Sequence, residues 1–174
     1  IKKNTNIIST TGFTSRELMQ IRSENNYKNG NDFYMVGGMG HSSSVALGSS
    51  LFSNKPTVCL DGDGSILMHL GSLGSIGFFA NKNFKHILLN NNSHESVGGQ
   101  PTNANKIRFK MLAKSLGYKK YFLLKNHKDL EKIKSFISSS GPSLLEIKIA
   151  NKSLPNLIRP KNLKKVKVNF MSKV

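Results

Sequence analysis

Short apolar runs, each followed by a glycine-rich or polar turn and then by a segment with helical spacing, recur along the chain. That alternation is the pattern of strands and helices in turn. Residues 33–36, 57–60, 84–89, 118–124 and 143–149 read as strands. Helices are predicted from the glycine turn after residue 36 to about residue 52, then over 66–80, 107–116 and 127–137, the last with Leu130, Ile133 and Ile137 on one face. The hydroxyl-rich stretch 9–15 precedes another helical pattern, as an N-cap does. Residues 24–32 read as an Asn-rich loop and 90–105 as a long polar one. The predicted class is α/β, a mainly parallel sheet with helices on both faces. In such sheets the ligand crevice lies beyond the carboxyl ends of the strands. The turns at 37–41 and 61–65 and the loop 90–100 therefore line one rim.

At 174 residues the chain fits one ordinary domain. With 37% hydrophobic and 20% charged residues it is compatible with a globular fold. A formal net charge of +17 brings nucleic acid or an acidic membrane into consideration. Lys and Arg are nevertheless scattered, without a basic stripe interleaved with aromatics, so neither partner is expected. The dense basic run at 161–167 lies in a tail, 151–174, that carries Pro155 and Pro160 and no acidic residue. The tail reads as an arm packed on a neighbour or left mobile. The single cysteine, Cys59, reads as a buried strand residue with no disulfide partner, which suits a reducing cytoplasm. No apolar stretch reaches the roughly 18–20 residues of a membrane span. Among the histidines, His69 is expected in the core on the inner side of its helix, and His86 and His127 at the periphery. His41 either faces the crevice or caps a helix.

The central chemical signal is Gly62-Asp63-Gly64-Ser65 after one strand, with Asn90-Asn91-Asn92 ending another. A carboxylate and an amide carbonyl are hard oxygen donors of the kind magnesium takes while phosphate and water complete its shell. Flanking glycines allow close backbone approach, and a following helix N-terminus favours an anion. The pair, with Asn91 standing 28 positions after Asp63 (91 − 63), resembles the motif of thiamine-diphosphate-dependent enzymes. The resemblance implies Asp63, the Asn91 side chain and the Ser93 carbonyl as magnesium ligands, with Gly62, Gly64 and Ser65 near the diphosphate. Gly37-Gly38-Met39-Gly40 is similar to that family's aminopyrimidine turn, which gives Gly37 the carbonyl, with Gly38 beside it, and Met39 the wedge that bends the cofactor. Thr11, Thr14 and Ser15 resemble its hydroxyl-bearing diphosphate segment.

The stretches Gly37-Gly38-Met39-Gly40-His41, Leu67-Met68-His69-Leu70-Gly71 and Ser93-His94-Glu95-Ser96-Val97-Gly98-Gly99-Gln100-Pro101-Thr102 resemble the phosphonopyruvate decarboxylase family in particular. Asn92 stands where that family usually has glycine, and Glu95 where it has aspartate. His94 and Glu95 are the candidate catalytic residues. For His94 a phosphonate-binding or proton-transferring role and a loop-organising role both stay open.

The likeness covers about residues 8–150, so 1–150 is assigned as the cofactor-binding domain. It implies decarboxylation of phosphonopyruvate to phosphonoacetaldehyde and carbon dioxide in phosphonate biosynthesis, with thiamine diphosphate and Mg2+. It also implies a separate pyrimidine-binding domain carrying a glutamate. The chain begins at Ile1 without such a domain, so it is expected to be a fragment or a subunit, incompetent alone and part of a homo- or hetero-oligomer. A sulfopyruvate decarboxylase subunit is the nearest alternative. A basic nucleic-acid-binding module is the alternative from another class.

Overall fold

The structure, a computed structural model, describes residues 4–25 and 30–174. Residues 1–3, and positions 26–29 of the loop expected at 24–32, lie outside them. Six parallel strands form one sheet: β1 (Asn6–Ser9), β2 (Asn31–Tyr34), β3 (Thr57–Gly62), β4 (Phe84–Asn90), β5 (Lys120–Leu124) and β6 (Ser143–Lys148), in the order β2-β1-β3-β4-β6-β5. The helices are α1 (Phe13–Glu24), α2 (Ser42–Phe52), α3 (Asp63–Met68), α4 (Ser72–Phe79), α5 (Phe109–Ser115), α6 (Lys132–Ser138) and α7 (Leu163–Met171). The α/β expectation holds, and the sheet is wholly parallel.

Side chains alternate between the two faces of a strand. The register Ile8↔Cys59↔His86↔Leu144 therefore defines one face, and Ile7↔Val58 and Ile87↔Leu145 the other. Each face carries its own apolar cluster. Ile8, Cys59, Leu88 and Leu144 pack with residues of α2 and α4, while Leu145 packs with Phe136 of α6. From β1 the chain steps one way to β2 and then back across to β3. That reversal places the topological switch point between β1 and β3, where the crevice of an open parallel sheet forms.

Strand β1 was not expected. It is four residues long with polar ends, yet all four are buried. The Asn6 amide donates to Ser49 and accepts from Asn31, so its polarity is satisfied inside. The strand expected at 33–36 lies at Asn31–Tyr34. The helix expected at 66–80 is two helices. The first, Asp63–Met68, is closed by His69, whose φ of −134° is not helical. Gly71, Gly74 and Gly77 weaken a continuous helix there, and α4 is drawn close to the chain after α5. The helix expected at 127–137 opens as a 3-10 turn, His127–Glu131, capped reciprocally by Asn126 and Asp129. No side chain caps α1, since Ser15 turns back to the Ser9 and Thr10 carbonyls.

Two histidines are corrected. His69 is exposed and edge-on to His41, with ring centroids 4.2 Å apart. His86, expected at the periphery, is fully buried and bonds the Tyr118 hydroxyl at 2.8 Å. The tail is corrected too: α7 packs on its own chain. Phe170 is buried with its ring centroid 5.3 Å from that of Phe33 on β2, and Asn162 caps the helix through the Lys165 amide. Among the described residues no helix is long and apolar enough to cross a membrane.

Candidate functional site: a cofactor crevice at the strand ends

The carboxyl ends of β1, β3, β4 and β6 surround a cavity of about 100 Å³. Thr11 and Thr14, Gly62 to Ser65, Asn91 and Ser93 to Glu95 line it, as do Lys152 and Ser153 of the tail. An adjoining cavity of about 190 Å³ is lined by Gly37, Ser15 and Arg159, and shares Thr11, Met39 and Ser96 with the first. The three predicted segments thus meet on one rim, and Met39 stands between the two cavities. Gly38 lines neither. Ser15 is buried with its hydroxyl committed to main-chain carbonyls, which leaves Thr11 and Thr14 as the open hydroxyls of that segment.

Hydrogen bonds lock the rim together. Ser65 Oγ accepts the Gly40 amide at 3.0 Å and lies 2.9 Å from Thr10 Oγ1. Thr11 Oγ1 accepts the Gly37 amide at 3.1 Å. Gly40 is required for two reasons: its φ is +90°, and a Cβ there would meet the His69 ring at 2.4 Å.

Asp63 is 2% exposed, and its Oδ2 accepts the hydroxyl of Thr102, while Oδ1 has no hydrogen-bond partner among the described residues. Asn91 donates through Nδ2 to Glu95 at 2.9 Å, while its Oδ1 accepts the Ser93 amide at 3.1 Å and keeps a second lone pair. Asn92 between them has φ +58°. This is the left-handed conformation, natural for glycine and tolerated by asparagine. Ser93 bridges Pro101 in an antiparallel pair flanked by His94 N–H to Gln100 carbonyl and Thr102 N–H to Asn92 carbonyl bonds. That is the non-hydrogen-bonded register, in which the Ser93 carbonyl points away from Pro101. One carboxylate oxygen, one amide oxygen and one main-chain carbonyl are therefore presented on adjacent loops, a donor set that fits a hard divalent cation beside a diphosphate.

Below the rim, Asp61 is buried, accepts the Gly62 amide through Oδ1, and lies 3.5 Å from His86. Burial pushes the Tyr118 phenol well above its ordinary range. Sequence reading missed Thr10, Thr102, Asp61 with His86, and the tail cations Lys152 and Arg159. Asp61 stands in the Asp61-Gly62-Asp63 turn and Thr102 closes the recognisable 93–102 stretch, but neither position shows its role in the sequence, and nothing local marks Arg159.

A family model described as thiamine pyrophosphate enzyme, C-terminal TPP binding domain, matches residues 9–147. Phosphonopyruvate decarboxylase from Streptomyces viridochromogenes is 38% identical over 156 residues, which cover 89% of this chain and 38% of that protein. Sulfopyruvate decarboxylase subunit beta from Methanococcus maripaludis is 30% identical over 153 residues, 87% of this chain and 80% of that subunit. The chain thus spans well under half the length of the Streptomyces relative. A solved structure of a candidate thiamin diphosphate-dependent enzyme isolated from Mycobacterium smegmatis superposes with a TM-score of 0.62 at 16% identity, covering 86% of this chain and 29% of that one. That likeness speaks for the fold alone. With a family model covering most of its length and the strand-end crevice in place, the chain belongs to the C-terminal thiamine-diphosphate-binding domain family of thiamine pyrophosphate enzymes.

Proposed function

We propose that this chain is the diphosphate- and Mg2+-binding half of a 2-oxo-acid decarboxylase, and that its substrate is phosphonopyruvate, released as phosphonoacetaldehyde and carbon dioxide. The 38% identity to phosphonopyruvate decarboxylase across 89% of the chain carries the reading. Asp63, Asn91 and the Ser93 carbonyl would hold Mg2+, and Ser65, Thr11 and Thr14 would face the diphosphate. Gly37 and Met39 would receive the aminopyrimidine. When bound, thiamine diphosphate supplies the nucleophilic carbon and the electron sink that loss of carbon dioxide requires.

This chain's own residues bind and orient. The His94 ring packs over Gly64, where an added Cβ would lie 2.4 Å from Cε1, and it lines the cavity beside Asn91 and Ser93. There it can donate to an anionic head or move a proton. Glu95 accepts the Asn91 side-chain amide at 2.9 Å, and would be the second catalytic residue, placed to exchange a proton while steadying Asn91. Lys152 and Arg159 bring positive charge to the two cavities, which suits a substrate with a carboxylate and a second anionic group. The glutamate facing the pyrimidine, and closure of the site, would come from a pyrimidine-binding domain or subunit.

A second reading rests on one observation: the chain matches 80% of the length of a sulfopyruvate decarboxylase beta subunit. Under that reading the mechanism is unchanged, the acidic head is a sulfonate and the partner is a separate subunit.

The test is decarboxylation by the chain together with its pyrimidine-binding partner, comparing both substrates, with and without thiamine diphosphate and Mg2+, for wild type and Asp63→Ala. Cofactor-dependent turnover of phosphonopyruvate that vanishes in the variant supports the main reading. Preference for sulfopyruvate moves the assignment to the second. Cofactor binding without turnover of either overturns the substrate class.

A further inference from the structure

Thr102 belongs to none of the three donor positions, yet it touches the support of all of them. Its hydroxyl donates to Asp63 Oδ2, and its amide donates to the carbonyl of Asn92, the residue between Asn91 and Ser93, at 3.0 Å. Its own position is fixed from both sides. The Ala104 amide reaches Oγ1 at 3.4 Å, and Cγ2 lies against Gly64, where an added Cβ would come within 3.3 Å of it. Thr102 is 6% exposed and Asp63 2%, so water does not readily replace the hydroxyl.

We infer that Thr102 is a positioning residue for the divalent cation, clamping the loop after β4 onto the turn after β3 so that Asp63 presents a single oxygen beside the Asn91 and Ser93 donors. The inference rests on the reading of Asp63, Asn91 and Ser93 as cation ligands. Its physical basis is the selectivity of coordination. Magnesium demands near-octahedral geometry at about 2.0–2.1 Å, whereas calcium accepts longer and more flexible arrangements, including bidentate carboxylates. Losing the hydroxyl frees Oδ2 and lets the carboxylate rotate, which penalises the small rigid ion more than the large one. Outer partners of metal ligands typically contribute 10–100-fold in metal affinity.

The experiment is equilibrium dialysis of Mg2+, Mn2+ and Ca2+ onto the full chain, with the same thiamine diphosphate concentration on both sides, for wild type, Thr102→Val, Thr102→Ser and Asp63→Ala. Thermal unfolding of each variant is followed in parallel. Thr102→Val keeps the volume and removes the donor. It is expected to lose about 10-fold or more in Mg2+ affinity and much less in Ca2+ affinity, and Thr102→Ser to restore most of the Mg2+ affinity. A merely structural role would lower the affinity for all three ions alike, and that result overturns the inference. So does wild-type Mg2+ binding in Thr102→Val alongside a loss in Asp63→Ala. If Asp63→Ala binds as wild type does, or wild type binds no ion, the ligand reading itself fails. Should Thr102→Val not fold, the Mg2+-to-Ca2+ preference of Thr102→Ser against Thr102→Ala decides between the same outcomes.

Discussion

Ser65 Oγ lies 2.9 Å from Thr10 Oγ1, which joins the ends of two neighbouring strands through a pair of hydroxyls directly beneath the crevice. The same Ser65 oxygen accepts the buried Gly40 amide, so a single hydroxyl holds three turns in register. Ser65→Ala leaves that amide unpaired, which costs about 1–3 kcal/mol. Urea unfolding should show the loss as a lower midpoint with an unchanged slope, and thiamine diphosphate affinity should fall with it.

Gly77 and Gly74 make an opposed pair of predictions. A Cβ on Gly77 would lie 1.7 Å from the Leu116 carbonyl oxygen, a main-chain atom that cannot step aside, whereas one on Gly74 would rest 3.7 Å from Leu116 Cδ2 in ordinary contact. Gly77→Ala must push α4 off the chain after α5 and is expected to unfold the protein or cost well over the roughly 1–3 kcal/mol of common overpacking. Gly74→Ala should gain about 0.5–1 kcal/mol from helix propensity. Melting temperatures of the two variants, compared with wild type, test both signs.

Phe170→Ala removes the buried ring that seats α7 on Phe33 and should cost about 3–5 kcal/mol. Because the segment between β6 and α7 carries Lys152 and Arg159 to the crevice, the proposed function has the variant also bind an anionic 2-oxo acid more weakly at temperatures where the sheet is still folded. Circular dichroism and substrate titration on the same sample separate the two effects.

Arg159→Gln removes a cation from the second cavity without touching the proposed donor set. If it contributes uniform binding to an anionic substrate, KM rises several-fold and kcat is nearly unchanged. Raised salt should shrink the difference, as expected of an exposed charge. Steady-state kinetics of the complete assembly at two ionic strengths would show it.

Cys59 is fully buried, and desolvation, ahead of the nearby Asp61 charge, pushes its thiol well above the ordinary value of 9.0. The native thiolate is therefore unpopulated at pH 8, and alkylation should require unfolding. Above pH 9 the unfolded chain releases this proton while the native chain retains it, so the unfolded state binds fewer protons and stability falls as pH rises. Iodoacetamide labelling with and without urea, and urea midpoints between pH 7 and 10, check the two statements.

The sheet's class and the rim were legible because the information is local. Gly62-Asp63-Gly64-Ser65 and Asn90-Asn91-Asn92 each follow an apolar run, and a parallel sheet places the ends of such runs together. What stayed hidden depends on contacts between distant residues. β1 is too short and too polar at its ends to show a period, and only its partners Ser49 and Asn31 make Asn6 a core residue. His86 reads as peripheral in the sequence, since its Tyr118 partner lies 32 positions away. The tail's composition suggested solvent, but one aromatic, Phe170, was enough to dock it. Thr102 closes the recognisable 93–102 stretch, but only the fold, by setting it against Asp63, shows what it does.

The left-handed turn at Asn92 has a thermodynamic meaning for ligand capture. Because the residue between Asn91 and Ser93 bends the chain in the left-handed conformation, and the Ser93 amide is tied to Asn91 Oδ1 at 3.1 Å, the proposed side-chain and main-chain oxygen donors are held as one chelating unit instead of as independent groups. Their conformational freedom is surrendered when the polypeptide folds, so an arriving cation does not have to order them.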